Sequence, residues 1–404
     1  MQALHRSWIG LGVLAGATAF SVLADSVFAL SLAWVLAATD RLGLLSALLV
    51  IVAATRLGMM PIGGSLADRY SKVMLLRFSA TLRALAMVGI ATALSLGHSV
   101  VAMVLMGLLG VASAVHYPAD RAIVVELVTG EQLERANGIL QTVTNTSNVA
   151  GPVTAGILVA VIGGNATILV AGAAYVLAFL TLLALRSGDD QRDAAATEQS
   201  MWVRTVAGVR YARADRPLMM LLIVVGVMNL GFIGPFAIAI PAHVLDALGG
   251  SPPTLAWLQS GFASGSILGA LIVASVWKRP AGPGLIGSVL FIAIAQTAVA
   301  LTTDPIVAIG ALTAGGIASG IANVVLIVAI QRRTPKAYIG RLMSLVMLLS
   351  MGLTPLSHAL AGILTAIYPP SGVLLGGAVL IFSGGLLAMP VVTKGPLTAD
   401  PECR

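Results

Sequence analysis

The chain has 404 residues, of which 58% are hydrophobic and only 10% charged, against about 25% charged in an ordinary soluble domain. With a mean hydropathy of +0.98, this excludes a soluble enzyme, because most of the backbone must sit where water cannot reach it. A net charge of +7 raises the prospect of nucleic acid, but a basic excess also arises in the cytoplasmic loops of a membrane protein.

A spanning helix needs about 20 apolar residues, so twelve would use roughly 240 and leave room only for short loops. In chain order the apolar runs predict helices near Ile9 to Ala38, Leu42 to Ile62, Val73 to Leu96, Ser99 to Tyr117, Leu133 to Ile162 and Ala166 to Leu185. Six more are predicted near Leu218 to Ile240, Thr254 to Trp277, Leu285 to Thr302, Ile306 to Ile330, Gly340 to Ile367 and Gly372 to Val392. The runs exceed strand length and lack strict alternation, so helices rather than a barrel satisfy the backbone in lipid. The first run is too long for a signal-peptide core and is read as a spanning helix. The expected fold is an all-α membrane protein of two six-helix halves. The N-terminal half is residues 1–185, a cytoplasmic linker 186–216, the C-terminal half 217–393 and a cytoplasmic tail 394–404. The polar linker, with Trp202, Val206 and Val209 on one helical face, is read as an interfacial helix or a solvated connection.

The charges set the expected topology. Connections after even-numbered helices carry Arg69, Lys72 and Arg77, then Arg121 and Arg135, then Lys278 and Arg279, then Arg332, Arg333 and Lys336, whereas the opposite loops carry only Arg41. The positive-inside rule then predicts both termini in the cytoplasm and accounts for the basic balance without nucleic acid. A weak repeat supports the two halves: Asn137-Gly138, Gly151-Pro152 and Gly156 are echoed by Gly340-Arg341, Thr354-Pro355 and Gly362. Paired six-helix halves around a central path are a transporter plan.

Asp25 is read as the one acid deep within a span, where an unpaired carboxylate costs at least about 2.5 kcal/mol. It is the proton-coupling candidate; a structural ion pair is the other reading. Arg56 and Arg83 are its candidate partners and, with His358, the expected cavity charges. One acid against two bases leaves a positive excess, pointing to an anionic or polyhydroxylated substrate. Gln141, Asn145 and Asn148 share a face of the fifth helix and are expected to line the cavity or to bond neighbouring helices. Cys403 is the sole cysteine, so neither an internal disulfide nor a cysteine metal cluster is expected. There is no phosphate-binding Gly-rich loop, zinc motif or nucleophile elbow. No cofactor, no metal and no enzymatic activity are expected.

Between the second and third helices, Gly64-Ser65-Leu66-Ala67-Asp68-Arg69-Tyr70-Ser71-Lys72 resembles motif A of the major facilitator superfamily. Helix 5, with Gly138, Ser147, Gly151-Pro152 and Ala155-Gly156, is similar to motif C of its proton-coupled antiporters. Tyr117-Pro118-Ala119, Glu126-Leu127-Val128, Glu134-Arg135-Ala136-Asn137-Gly138 and Gly340 to Leu345 resemble the enterobactin-exporter-like and macrolide-efflux-like branch. The resemblance implies an exporter of small molecules, such as siderophores, macrolides or other drug-like compounds, across the bacterial inner membrane. It would act by alternating access and proton antiport, with sodium as the other coupling ion, and as a monomer in the bilayer. Gly64, Asp68, Arg69 and Lys72 would form its gating motif and Arg121 the partner of Asp68. Gly64 would allow close helix approach, and Gly138, Gly151, Pro152 and Gly156 a packed, bendable helix. Ser71 and Val73 replace the usual glycine and base, implying a loosely held turn. A lysophospholipid flippase-like carrier and a non-transporting membrane sensor or assembly factor are the alternative readings.

Overall fold

A computed structural model describes residues 2–128, 130, 132–185, 210–211, 213, 215–276 and 281–392. The linker segment 186–209, with Trp202, and the tail 393–404, with Cys403, lie outside the described residues. The chain divides into two compact units, Met1–Ala196 and Thr197–Arg404. Among the described residues, twelve helices are long and apolar enough to cross a membrane. Large apolar side chains such as Leu85, Leu271, Ile294 and Leu387 stand exposed on them, an arrangement that hydrocarbon favours and water does not.

The first unit contains α1 (Gln2–Ala38), α2 (Leu42–Arg69), α3 (Lys72–Ser95), α4 (Ser99–Leu127), α5 (Gln132–Ile162) and α6 (Gly164–Leu183). The second contains α7 (Arg216–Asp246), α8 (Pro252–Val276), α9 (Ala281–Leu301), α10 (Pro305–Arg333), α11 (Lys336–Gly352 followed by Thr354–Thr365) and α12 (Pro370–Val392). The internal repeat expected from a few glycines and prolines is written fully in the packing. In the first unit α1 packs on α5 and α6, α2 on α4, and α3 on α4 and α6. In the second, α7 packs on α11 and α12, α8 on α10, and α9 on α10 and α12. Each partnership is the first set advanced by six helices.

Helix ends are closed by local side chains, as orphan backbone groups require. Asp304 caps α10 by accepting from the Ile306 amide at 2.7 Å, and Asp215 caps α7 by accepting from Leu218 at 3.2 Å. Arg333 Nε reaches both Asp215 oxygens at 2.8 and 2.9 Å. Arg77 donates to the carbonyls of Leu182 and Leu185, each at 2.9 Å, and so caps the end of α6. Ser71 does not loosen the α2–α3 turn. With φ −57 it occupies a region open to any residue, and its hydroxyl accepts from Met74 to cap α3.

Small residues set the helix spacing, but not where motif A suggested. A Cβ on Gly64 would meet nothing within 4 Å, whereas one on Gly63 would run into the Ala114 carbonyl of α4. Gly63 is therefore the close-approach residue between α2 and α4. Gly138 likewise faces open space, while Gly151 of α5 lies against Ser26 of α1. Pro152 and Gly156 are buried within an unbroken α5. On α8, Gly265 and Gly269 press against the α10 backbone at Thr313 and Ile317, and Gly316 and Gly320 of α10 return the contact at Phe262 and Ser266.

Two helices in the second unit depart from a plain α-helix. α11, expected as a single run, is two helices meeting at Leu353, with Pro355 in the first turn of the second. In α7, Pro235 has no N–H to offer Gly231 four residues back. Residues Pro235–Ala239 wind as a π-helix, and Ile240 N donates five residues back to Pro235 O. The freed groups are taken by other helices. Gln296 of α9 donates to Gly231 O at 3.1 Å and to Leu374 O at 2.8 Å. The Ser357 hydroxyl of α11 accepts from Gly234 N at 2.8 Å and donates to Leu230 O at 2.9 Å. It stands inside what would be an ordinary i to i−4 bond.

Replacing Gln296 with leucine leaves Gly231 O without its donor at a buried site, a loss of about 1–3 kcal/mol. It is expected to lower the midpoint of thermal unfolding in detergent. Gly63→Ala forces a methyl group against α4, costing about 1–3 kcal/mol, and lowers the same midpoint. Gly64→Ala leaves it unchanged; equal effects at the two positions would contradict this packing.

Candidate functional site

The first unit carries a charged cluster across its helices. α1 supplies Asp25, α3 Arg83 and α6 Tyr175, brought together because α6 packs on both α1 and α3. Arg83 is 4% exposed and Tyr175 fully buried. Arg83 Nη1 lies 3.4 Å from Asp25 Oδ2, a loose ion pair. The tighter link runs through the phenol: Arg83 Nη1 donates to the Tyr175 hydroxyl at 2.5 Å, and that hydroxyl donates to Asp25 Oδ1 at 2.7 Å. The guanidinium also stands 5.3 Å from the Tyr175 ring centroid. A buried cation needs such partners, since leaving it unpaired in a low dielectric costs several kcal/mol. Asp25 meets the expected Arg83, but Tyr175 was not anticipated. Its only signal is a phenol amid the apolar residues of α6, where a buried hydroxyl usually has a partner.

Arg56 does not pair with Asp25. Its guanidinium lies 5.8 Å from the Tyr117 ring centroid on α4, and Arg121 lies 5.6 Å from the same ring. Arg56 remains within electrostatic range of Asp25 and Arg83. Arg56 Nε and His116 Nδ1 are buried and make no hydrogen bond among the described residues. Counting Asp120 and Arg121 with Asp25, Arg56 and Arg83, the cluster holds two acids against three bases, the same net excess as one acid against two bases. Asp120 lies inside α4, which runs to Leu127, and is in range of Arg83 as well as Arg121.

The gating residues are arranged differently from expectation. Asp68 and Arg69 are exposed at the end of α2, and Asp68 does not meet Arg121, which is engaged with Tyr117. The ion pair at this end joins Lys72 to Glu126 at 2.8 Å, linking the start of α3 to the end of α4. On α5, Gln141 donates to Asn145 at 3.0 Å, so these two amides bond each other rather than a neighbouring helix. Asn148 is exposed, and His358 is buried in the second part of α11. Among the described residues, no group of three or more His, Cys, Asp or Glu side chains is placed to hold a metal ion.

The second unit holds a cavity of about 390 Å³ with no charged residue in its wall. Phe232, Phe236 and Phe262 pack together around it with centroids 4.7 to 5.3 Å apart, Phe232 stacked on both of the others and Phe236 tilted against Phe262. Asn229, Ser319 and Asn323 supply its polar groups. Asn229 and Asn323 stand out in the sequence as amides within apolar spans. The aromatic trio does not, because Phe262 comes from a different helix than Phe232 and Phe236.

Residues 14–244, more than half of the chain, match the family model for the Major Facilitator Superfamily. Among curated proteins, the chain is 25% identical over 239 residues to the multidrug efflux pump Tap of Mycolicibacterium fortuitum, covering 58% of this chain and 57% of that one. It is 24% identical over 275 residues to Tap of Mycobacterium tuberculosis, covering 68% and 65%. It is 26% identical over 171 residues to macrolide efflux protein A of Enterococcus faecalis, covering 42% and 53%. The matches thus span less than two thirds of these relatives' length. Among solved structures, the nucleoside transporter NupG superposes with a TM-score of 0.77 at 11% identity, over 94% of this chain and 99% of that one. A bacterial homologue of the iron transporter ferroportin superposes with a TM-score of 0.74 at 14% identity, over 97% and 99%. These two likenesses are of fold. With twelve apolar helices in two equivalently packed units and relatives that are transporters rather than enzymes, the chain is a multi-pass bacterial membrane protein and belongs to the Major Facilitator Superfamily.

Proposed function

We propose that this protein is a secondary active exporter of drug-like small molecules across the bacterial inner membrane, with both termini cytoplasmic, driven by proton antiport. The observation that carries the reading is the Asp25 carboxylate, held within α1 by Tyr175 and Arg83. Efflux function in relatives named for multidrug and macrolide efflux supports the direction of transport. The charge pattern of the loops supports the orientation.

The chemistry favours a proton over sodium. A hard cation is held by several oxygens, whereas Asp25 is one carboxylate beside a guanidinium that repels a metal ion. Protonating Asp25 cancels its attraction for Arg83 and leaves a buried cation with the phenol alone. Deprotonation restores the pair. The proton thereby acts on the arrangement of α1, α3 and α6, the kind of local electrostatic change that biases a two-state element.

In everted vesicles carrying correctly inserted protein, adding a transported macrolide is expected to release protons in wild type and not in Asp25→Asn. Proton release that survives the substitution would reduce Asp25 to a structural ion pair. Tyr175→Phe removes both short hydrogen bonds while keeping the ring. With hydrogen bonds to charged groups worth about 1.5–3 kcal/mol, it is expected to lower the thermal unfolding midpoint in detergent, whereas Tyr117→Phe is not.

A further inference from the structure

The two units differ in chemical character. Acids and bases cluster in the first, while the 390 Å³ cavity of the second is lined by rings, aliphatic groups, two amides and a hydroxyl. Its volume falls within the range of about 300–1,000 Å³ for small-molecule sites, which are mostly apolar with a few placed polar groups.

The polar groups are open to a ligand. Asn229 donates its amide to Val225 O at 2.8 Å, which spends one N–H on its own helix and leaves its oxygen as an acceptor. Ser319 and Asn323, four residues apart on α10 and hence on one face, make no hydrogen bond among the described residues, although both border the cavity. The backbone supports the wall. Phe232 and Phe236 flank Pro235, where α7 passes into its π-turn, and the groups freed there are held by Gln296 and Ser357. Phe232 and Phe236, four residues apart on α7, both lie against Phe262 of α8, the first stacked and the second tilted.

We infer that this cavity is a ligand subsite for an uncharged, ring-bearing part of the substrate, which stacks on Phe232, Phe236 and Phe262 and hydrogen-bonds to Ser319 and Asn323. Flat rings match the stacked phenylalanines. An ionised group finds no counter-charge in the wall and loses its hydration on entry. This deepens the exporter reading by naming a substrate class, and rests on it for the natural ligand, but binding at the cavity can be measured without transport.

The test uses the full chain in lipid nanodiscs and two probes that differ by one sulfonate: uncharged N-phenyl-1-naphthylamine and anionic 8-anilinonaphthalene-1-sulfonate. The readout is the saturable part of energy transfer from tryptophan to the probe. The uncharged probe is expected to bind saturably, and Phe262→Ala or Phe236→Ala to weaken it about tenfold, as loss of an aromatic anchor does. Phe262→Leu, which keeps the volume and is less disruptive to folding, should weaken it to a smaller extent. Asn323→Leu, which removes amide groups but no ring, should leave this non-acceptor probe within about threefold of wild type. The sulfonated probe is expected to bind at least about tenfold more weakly than the uncharged one. Asp25→Asn, silent in the vesicle assay, should bind the uncharged probe as wild type does, which separates failure of coupling from failure of this subsite. Equal or tighter binding of the sulfonate would overturn the assignment. So would unchanged affinity in both alanine variants with wild-type unfolding midpoints, or loss of probe binding in Asp25→Asn. A cavity filled by acyl chains of the bilayer would show no saturable signal, which equally overturns it.

Discussion

Inside a bilayer a backbone or side-chain polar group has no water to fall back on, so each must find its partner within the protein. The main features of both units answer to this constraint. Pro235 deprives the Gly231 carbonyl of its helical donor, and Gln296 supplies another from α9. Ser357 enters the gap between Gly234 and Leu230 and serves both. Arg77 closes the end of α6. Arg83, buried as a cation, is held by a phenol and a carboxylate from two other helices. In each case the partner comes from a different helix, so satisfying the polar group also ties the bundle together.

The same constraint divides labour between the units. Where the Asp25 carboxylate of α1 meets the Arg83 guanidinium of α3, the acid is half exposed and the base buried, so a proton can reach the carboxylate while its effect falls on a buried cation. That suits energy coupling. The second unit keeps charge away from its cavity and spends its polarity on a π-turn and three uncharged wall groups, which suits recognition of a neutral ring. The equivalent packing of the two units shows that this difference arises on a repeated plan of helix contacts, from side chains and from the π-turn of α7.

The substitutions in motif A illustrate how local chemistry can replace a familiar residue. Ser71 ends the turn as a helix cap, a role glycine fills without a side-chain bond. The close contact belongs to Gly63, one position before the motif's glycine, because a one-residue step on a helix turns a side chain by about 100°. Lys72 pairs with Glu126 while Asp68 faces outward.

Length, apolar periodicity and the scarcity of charge were enough to read twelve helices in two halves, since spanning a bilayer demands a number of apolar residues that composition reports directly. Asp25 and Arg83 were also legible, because a charge within an apolar run is conspicuous in one dimension. Tyr175, Gln296, Ser357 and the phenylalanine trio were not. Their roles depend on which helix faces come together between distant parts of the sequence, up to 150 positions apart for Tyr175 and Asp25, and a tyrosine, glutamine or phenylalanine in an apolar span is unremarkable until its neighbour is known. Whether Arg56 or Arg83 took the carboxylate, and whether Gly63 or Gly64 took the contact, was likewise settled by helix rotation and packing, which hydrophobic pattern alone leaves free because lipid-facing and protein-facing surfaces are equally apolar.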